Sequence, residues 1–407
     1  MEIRPILSAM LRAKTAPLLI AAQVALTLAI VCNALYIIRD RLEMAARPTG
    51  ADEQNLFELR FYPHRPIADI KGLQLRDVET LRAIPGVVSA AWVNQIPLGR
   101  SGWNWGGLTA DREHGSQLTA TYYFSGESVV ETFGLQLIEG RDFLPEEYYD
   151  LDPSKEQRNP TVLIVTRALA EKLFPGETRF VGRSFFMGSS PEAESARIVG
   201  VVEKLQTPYG QTDDSVENSM IGPVRYIDPY TRYAIRTEPG AQDRVMAEAE
   251  KALVALSKDR VLLNTRSFAE ARAERYAGER MLAGLLVAVS AFLLLITASG
   301  IVGMASLWVN QRRKQIGVRR ALGARQWDIL RYFLVENVLI TTSGVVFGLA
   351  LALALNDFLV RQLELPRLPG SYLGIGMAVM WLLGLAAVLG PAWRATRVPP
   401  AVATRTA

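Results

Sequence analysis

Four stretches of this chain are apolar almost without interruption, and between the first and second of them the pattern shortens and alternates. Residues 15–38 ("TAPLLIAAQVALTLAIVCNALYII"), 281–309, 333–359 and 372–393 each run to more than twenty residues with few charges. A helix crosses the hydrocarbon core of a bilayer with about 20 apolar residues, and helices buried in a soluble core are shorter and keep a polar face. The pattern therefore predicts four transmembrane helices, one before a long polar region and three after it. Residues 1–14 and 394–407 flank the spans, and residues 310–332 and 360–371 connect the last three.

Within residues 39–280 the periodicity is that of a mixed domain. "NLFELRFY" (55–62) alternates as a strand does, "LQLRDVETLRAI" (73–84) has helical spacing, and "GVVSAAWV" (86–93) reads as a strand after the Pro85-Gly86 break. A second β-α-β unit follows at 232–238, 243–257 and 260–268. Two such units so far apart predict one α+β domain built from both ends, residues 45–96 and 227–266. A subdomain of short helices and strands is inserted at 97–226. "SFAEARAERYAGERM" (267–281) is charged and helical in spacing, with no Gly or Pro between Ala269 and Ala277. It predicts a stalk helix over 267–280 that continues unbroken into the second span. The expected fold class is a membrane protein with one plus three spans and a large α+β extracytoplasmic domain of two β-α-β halves plus the insert.

Composition supports this reading and charge orients it. The chain is 49% hydrophobic with a mean hydropathy of +0.13, high for a wholly soluble protein. The loop after the second span carries Arg312, Arg313, Lys314, Arg319, Arg320, Arg325 and Arg331 against Asp328 alone. Arg4, Arg12 and Lys14 precede the first span, and Arg394, Arg397 and Arg405 follow the last. Short cytoplasmic loops hold the excess of Lys and Arg, so both termini and the loop are expected inside and residues 39–280 outside. Those residues hold 30 Lys and Arg against 36 Asp and Glu, a net charge of −6. The overall charge of +4 is thus a topology signal, and nucleic acid is not an expected partner. The first apolar run is too long for a signal-peptide core and no small-x-small site follows it, so an uncleaved anchor is expected. Cys32, the single cysteine, lies in that span, so the outer domain is expected to fold without disulfides.

Chemistry-bearing motifs are missing from the sequence. There is no Gly-Lys-Ser or Gly-Lys-Thr of a P-loop, no His-Glu-x-x-His around His64 or His114, and no Gly-x-Ser-x-Gly. One cysteine makes no thiolate zinc site, and "GIG" at 374–376 lies in an apolar span, where it reads as a packing feature. Neither a catalytic centre nor a bound metal or cofactor is expected. Within the spans, Gly344 and Gly348 form a Gly-x-x-x-Gly pair and Ser299 with Gly303 repeats the small spacing, predicting close helix packing within a bundle or at a dimer seam. Glu336 and Asn337 open the third span, where a carboxylate is costly, so Glu336 is expected to reach Arg331 or another loop arginine. In "IGVRRALGARQWDILRYF" (316–333), Val318, Leu322 and Ile329 fall at roughly helical spacing beside Arg319, Arg320 and Arg325, with Trp327 as an anchor. Such a segment suits a docking helix or a surface that binds anionic lipid headgroups.

Three stretches resemble a known family, the MacB/FtsX-type permeases of the type VII ABC superfamily. "QRRKQIGVRRALGARQWDILRYFLVENVLI" (311–340) resembles the family's R-x-x-E-I-G-x-R-R-A-L-G-A segment, with Gln315 where Glu is usual. "GPAWRATRVPPAVATR" (390–405) resembles its C-terminal tail. "FSGESVVETFGLQLIEGRDF", "VLIVTRALAEKLFPGE" and "RIVGVVEKL" resemble the extracytoplasmic domain of the MacB-like branch, whose porter-like part would be residues 45–96 and 227–266. The resemblance implies a subunit of the bacterial inner membrane that hydrolyses nothing itself. It would pair with a second permease subunit, the same or related. A cytoplasmic ABC ATPase dimer would hold ATP and Mg and dock on Ile316, Val318, Arg319, Arg320, Leu322, Arg325, Trp327 and Ile329. Only about 14 residues precede the first span, so that ATPase is expected to be separately encoded. A periplasmic adaptor and an outer-membrane channel are further partners the family allows. Its division-linked branch offers the alternative, an FtsX-like transmitter that activates a periplasmic enzyme without transport; that branch has a smaller outer domain without the insert.

Overall fold

The computed structural model describes residues 15–99, 102–113, 115–155, 158–188, 190, 192–208, 214–363 and 367–397. Arg4, Arg12, Lys14, His114 and Arg405 lie outside them. The chain begins with α1 (Thr15–Ala46), β1 (Leu56–Pro63), α2 (Ile70–Arg82), β2 (Val87–Trp92), β3 (Asn104–Thr109) and β4 (Leu118–Phe124). There follow α3 (Val129–Phe133), β5 (Leu137–Gly140), β6 (Tyr149–Leu151), β7 (Val162–Thr166), α4 (Arg167–Leu173), β8 (Ser184–Met187), β9 (Ser195–Val202), β10 (Ser219–Gly222) and β11 (Val224–Tyr226). The remainder is β12 (Thr231–Thr237), α5 (Gln242–Leu256), β13 (Arg260–Ser267), α6 (Phe268–Arg275), α7 (Ala277–Gln311), α8 (Arg313–Ala321), α9 (Gln326–Leu363) and α10 (Gly370–Thr396). Residues Met44–Ala277 form one unit, and the two flanks together form the other.

The two distant β-α-β units meet in one antiparallel sheet of order β13-β1-β12-β2. With α2 and α5 this is the β-α-β-β-α-β arrangement of ferredoxin-like folds, opened between β2 and β12 by the insert. Period-two alternation makes the core: Phe57, Leu59 and Phe61 of β1 and Tyr233 and Ile235 of β12 are buried with Leu81 of α2 and Val245 and Leu253 of α5. Two charges are buried among them. Arg260 Nη2 donates to Asp77 Oδ1 at 2.7 Å and Arg260 Nη1 to Asp77 Oδ2, Tyr233 Oη donates to Asp77 Oδ2 at 2.5 Å, and the guanidinium lies 4.3 Å from the centre of the Phe61 ring. Removing one member of a buried pair strands the other, which costs about 3–5 kcal/mol. Asp77→Ala is therefore expected to lower the unfolding transition of this domain by that amount in the purified full chain; an unchanged transition would contradict the pairing.

The insert contains the expected strands, but they close on themselves. β9 pairs with β7, β7 with β10, β10 with β4, β4 with β3, β3 with β8, and β8 again with β9. The result is a six-stranded ring. β5 takes the part of the β9 edge that β8 leaves free, at Leu137↔Val202 and Gly140↔Gly200. Closure leaves few open edges, and Leu163, Val165, Phe185, Ile198 and Met220 enter the same apolar core as the ferredoxin-like sheet.

The stalk differs from expectation: the single helix over 267–280 is two helices, α6 and α7, separated at Tyr276 (φ −102°, ψ 13°). No Gly or Pro marks the break. Its cause is tertiary, because the Tyr276 ring is buried beside Phe268 and Ala271 and its hydroxyl accepts from Gln206 Nε2 at 2.7 Å. One turn earlier, Arg272 Nε and Nη2 each donate to the Glu53 carboxylate at 2.6 Å, while Nη1 reaches Ala45 O and Nη2 reaches Arg47 O, both at 2.8 Å. The chain's entry to the domain and its exit are thus tied together. Burial opposes ionisation of Glu53, yet the hydrogen bonds from Arg272 and Thr49 outweigh it and hold the carboxyl below its ordinary range.

In the other unit α1, α7, α9 and α10 are each long and apolar enough to cross a membrane. The first is the hub, the most buried of the four, and α7 is the least buried. Thr27 and Thr297 share a hydroxyl hydrogen bond of 2.8 Å, and Asn33 Nδ2 donates to Ala352 O at 3.1 Å, linking α1 to α7 and α9. Gly376 in "GIG" packs on Cys32: a Cβ there would lie 2.2 Å from its sulfur. Cys32 faces a helix.

Candidate coupling site

The cationic stretch folds as α8, a tight turn and the first turns of α9, which begins at Gln326 rather than at the apolar boundary near 333. Gly323 ends α8 in the left-handed region (φ +96°), its N–H bonding Arg320 O at 3.2 Å and the next N–H, of Ala324, bonding Arg319 O at 3.0 Å. Nothing crowds the position, but the backbone conformation alone disfavours a side chain. Asp328 Oδ2 then accepts the Arg325 N–H at 2.9 Å and fixes the start of α9.

The eight residues expected to meet an ATPase separate into two sets. Ile316 (5% exposed) and Ile329 (4%) are buried with Val309, Phe333, Ala392 and Ala395, so they hold α8 against the ends of α7, α9 and α10 and present nothing outward. Val318 (49%), Leu322 (83%) and Trp327 (64%) are exposed. Arg320 donates from Nη1 to Thr396 O and is a tether to α10. Arg319 stacks 5.0 Å from the centre of the Tyr332 ring, and the Arg325 guanidinium has no hydrogen-bond or ion-pair partner among the described residues. The outward surface is therefore Val318, Leu322 and Trp327 with Arg319 and Arg325. Gln315 is exposed beside a narrow cleft that Arg312, Ile316 and Tyr332 also line.

Arg312 is one of the loop arginines expected within reach of Glu336. It forms the ion pair with Glu336 (Nη1 to Oε2, 2.8 Å), whose side chain is almost fully buried, and the same Nη1 lies 3.2 Å from the Tyr332 hydroxyl. The arginine that reaches Glu336 is thus Arg312, not Arg331, which is exposed. What marks Arg312 out among those arginines is the pairing of a cation closing one span with a carboxylate opening the next.

The glycine seam is intramolecular. A Cβ on Gly344 would lie 2.7 Å from Ala21 O and one on Gly348 3.0 Å from Ala25 Cα, so α1 fills the groove and leaves none for a second subunit. Ser299 and Gly303 face open space on α7. Gly344→Val is accordingly expected to destabilise the bundle by about 1–3 kcal/mol, read as a lower melting temperature of the purified chain, with Gly374→Val, at an exposed position of α10 with open space around it, as the unaffected control; equal melting of the two would contradict the seam. Among the described residues no three His, Cys, Asp or Glu side chains stand close enough to hold a metal.

One apolar helix thus stands ahead of the α+β domain and three behind it, with a cationic helix-turn between the second and third. The chain belongs to the MacB/FtsX family: residues 22–252 match the MacB-like periplasmic core domain and residues 287–400 the FtsX-like permease C-terminal domain. Among its relatives is the macrolide export ATP-binding/permease protein MacB of Neisseria gonorrhoeae, 25% identical over 363 residues, which cover 86% of this chain and 52% of that protein. The protein of the same name from Rhodospirillum rubrum is 30% identical over 267 residues, 62% of this chain and 39% of that one. The chain spans about half the length, or less, of the curated relatives it matches. Of solved structures, the extracellular domain of the noncanonic ABC-type transporter YknZ from Gram-positive bacteria covers 51% of this chain and 100% of its own, with 15% identity and a TM-score of 0.32.

Proposed function

We propose that this chain is the membrane-spanning subunit of an ABC-type export complex of the bacterial inner membrane. Both termini are cytoplasmic and the α+β domain is periplasmic. A separate cytoplasmic ATPase dimer, which binds ATP and Mg, grips the α8–α9 turn. A second permease subunit packs on the open face of α7 around Ser299 and Gly303, and closure of the dimer moves the periplasmic domain so that cargo is driven outward, through an adaptor and an outer-membrane channel where these take part.

The observation that carries the reading is the division within the cationic segment. Large apolar side chains grouped on the surface mark an interaction site, and Leu322 and Trp327 stand together on a turn that Ile316, Ile329 and Arg320 fix to three of the four spans. A knob anchored in this way transmits force, whereas a segment lying loosely on headgroups does not. Affinity purification of the tagged full chain from cross-linked native membranes is expected to recover an ABC ATPase in equimolar amount; recovery of the permease with no ABC ATPase would overturn the proposal.

A further inference from the structure

A cavity of about 470 Å³ opens in the α+β domain where the exposed end of the ferredoxin-like sheet faces the insert, a size usual for small-molecule sites. Strand alternation puts Phe57, Leu59 and Phe61 into the core and leaves Glu58 and Arg60 on the other face. There Arg60 stands directly opposite Arg232 of β12, and both line the cavity. Like charges directly opposite across a strand pair destabilise a sheet. Only one of the two is compensated: Arg232 Nε lies 3.2 Å from Glu58 Oε2, but Glu58 also accepts from Arg266 at 2.6 Å. Arg60 has no side-chain hydrogen bond or ion pair among the described residues. Among the described residues the one carboxylate lining the cavity, Asp228, accepts the Tyr230 N–H at 2.8 Å, and burial pushes its carboxyl above the ordinary range.

The other wall is aromatic. Trp103, half-exposed, stands edge-on to Phe124 at 5.4 Å and to Tyr226 at 5.5 Å between ring centres, and Tyr62 packs edge-on to Tyr230 at 5.0 Å. The buried Trp92 also lines this wall. Aromatic faces beside two arginines on neighbouring strands select one kind of guest. We propose that this cavity binds an amphipathic anion, its flat apolar body against Trp103, Phe124 and Tyr226 and its acidic head on Arg60 and Arg232. Binding is an equilibrium property of the α+β domain and does not depend on the ATPase reading above.

The probes are dansyl glycine (anionic), dansyl amide (neutral) and dansyl cadaverine (cationic), titrated onto the full chain in lipid nanodiscs, with empty nanodiscs subtracted. Dansyl glycine is expected to bind saturably and at least about tenfold more tightly than dansyl amide, the scale of a charge-assisted hydrogen bond, with dansyl cadaverine weakest. Arg60→Gln should erase the preference for glycine over amide, Arg60→Lys should keep part of it, and Trp103→Ala should weaken both probes and reduce tryptophan-to-dansyl energy transfer. The three-probe ranking on the unaltered chain is independent of how any variant folds. No saturable binding of dansyl glycine, a cationic probe that binds as well, or an Arg60→Gln chain with the original preference would each overturn the proposal.

Discussion

A chain carrying Leu322→Ala and Trp327→Ala together is expected to bind its ATPase at least roughly thirtyfold more weakly than the unaltered chain, a loss of about 2 kcal/mol. Both side chains are among the most exposed large apolar groups in the molecule, and neither joins the apolar cluster that fixes α8. Their removal should leave the melting temperature nearly unchanged, since surface substitutions stay within about 0.5 kcal/mol. Ile316→Ala supplies the contrast. It opens the cluster shared with Phe333, Ala392 and Ala395 and should cost about 2–5 kcal/mol of stability, so that any loss of binding accompanies loss of structure. Titration of the ATPase onto nanodisc-embedded permease reads both effects; full affinity in the double variant would remove the exposed turn from the interface.

The second large effect belongs to Arg272. Arg272→Ala deletes two hydrogen bonds to Glu53 and the donors that satisfy Ala45 O and Arg47 O, and leaves a mostly buried carboxylate without its cation. A destabilisation of about 3 kcal/mol or more follows, with faster hydrogen exchange expected at residues 44–56 and 268–276. The pH dependence has a definite sign. A carboxyl held below its ordinary value stabilises the fold fully above the unfolded-state value, about 4.3 for Glu, and loses that contribution as pH falls through the lower folded-state value. The stability gap between the unaltered chain and Arg272→Ala should therefore stay constant from neutrality down to that range and close below it. A gap that widens on acidification would rule out the pair as its source.

Features set by local period or length were legible in the sequence. Four apolar runs became four long helices, and the alternation of Phe57, Leu59 and Phe61 became a core-facing strand because one buried face fixes the register. Features set by a distant partner were not. Closure of the insert depends on Ser184 meeting Arg197 across β8 and β9, and neither short strand advertises the other. The break at Tyr276 depends on Gln206. The small-residue spacing of Gly344 and Gly348 announced a close approach, but not that α1 makes it. Within the coupling segment Ile316 and Val318 are chemically alike, and only the presence of Ala392 and Ala395 beside the first decides which one is hidden. The juxtaposition of Arg60 and Arg232 is a matter of strand register and leaves no trace in either local stretch.

The most direct test places the photo-crosslinker benzoylphenylalanine in place of Leu322 and, separately, of Leu353, an exposed residue of the apolar part of α9. In membranes containing the assembled complex, the probe at 322 should capture the ABC ATPase and the probe at 353 should not. Capture of lipid alone from position 322, with the ATPase present and bound, would contradict a coupling site on the α8–α9 turn.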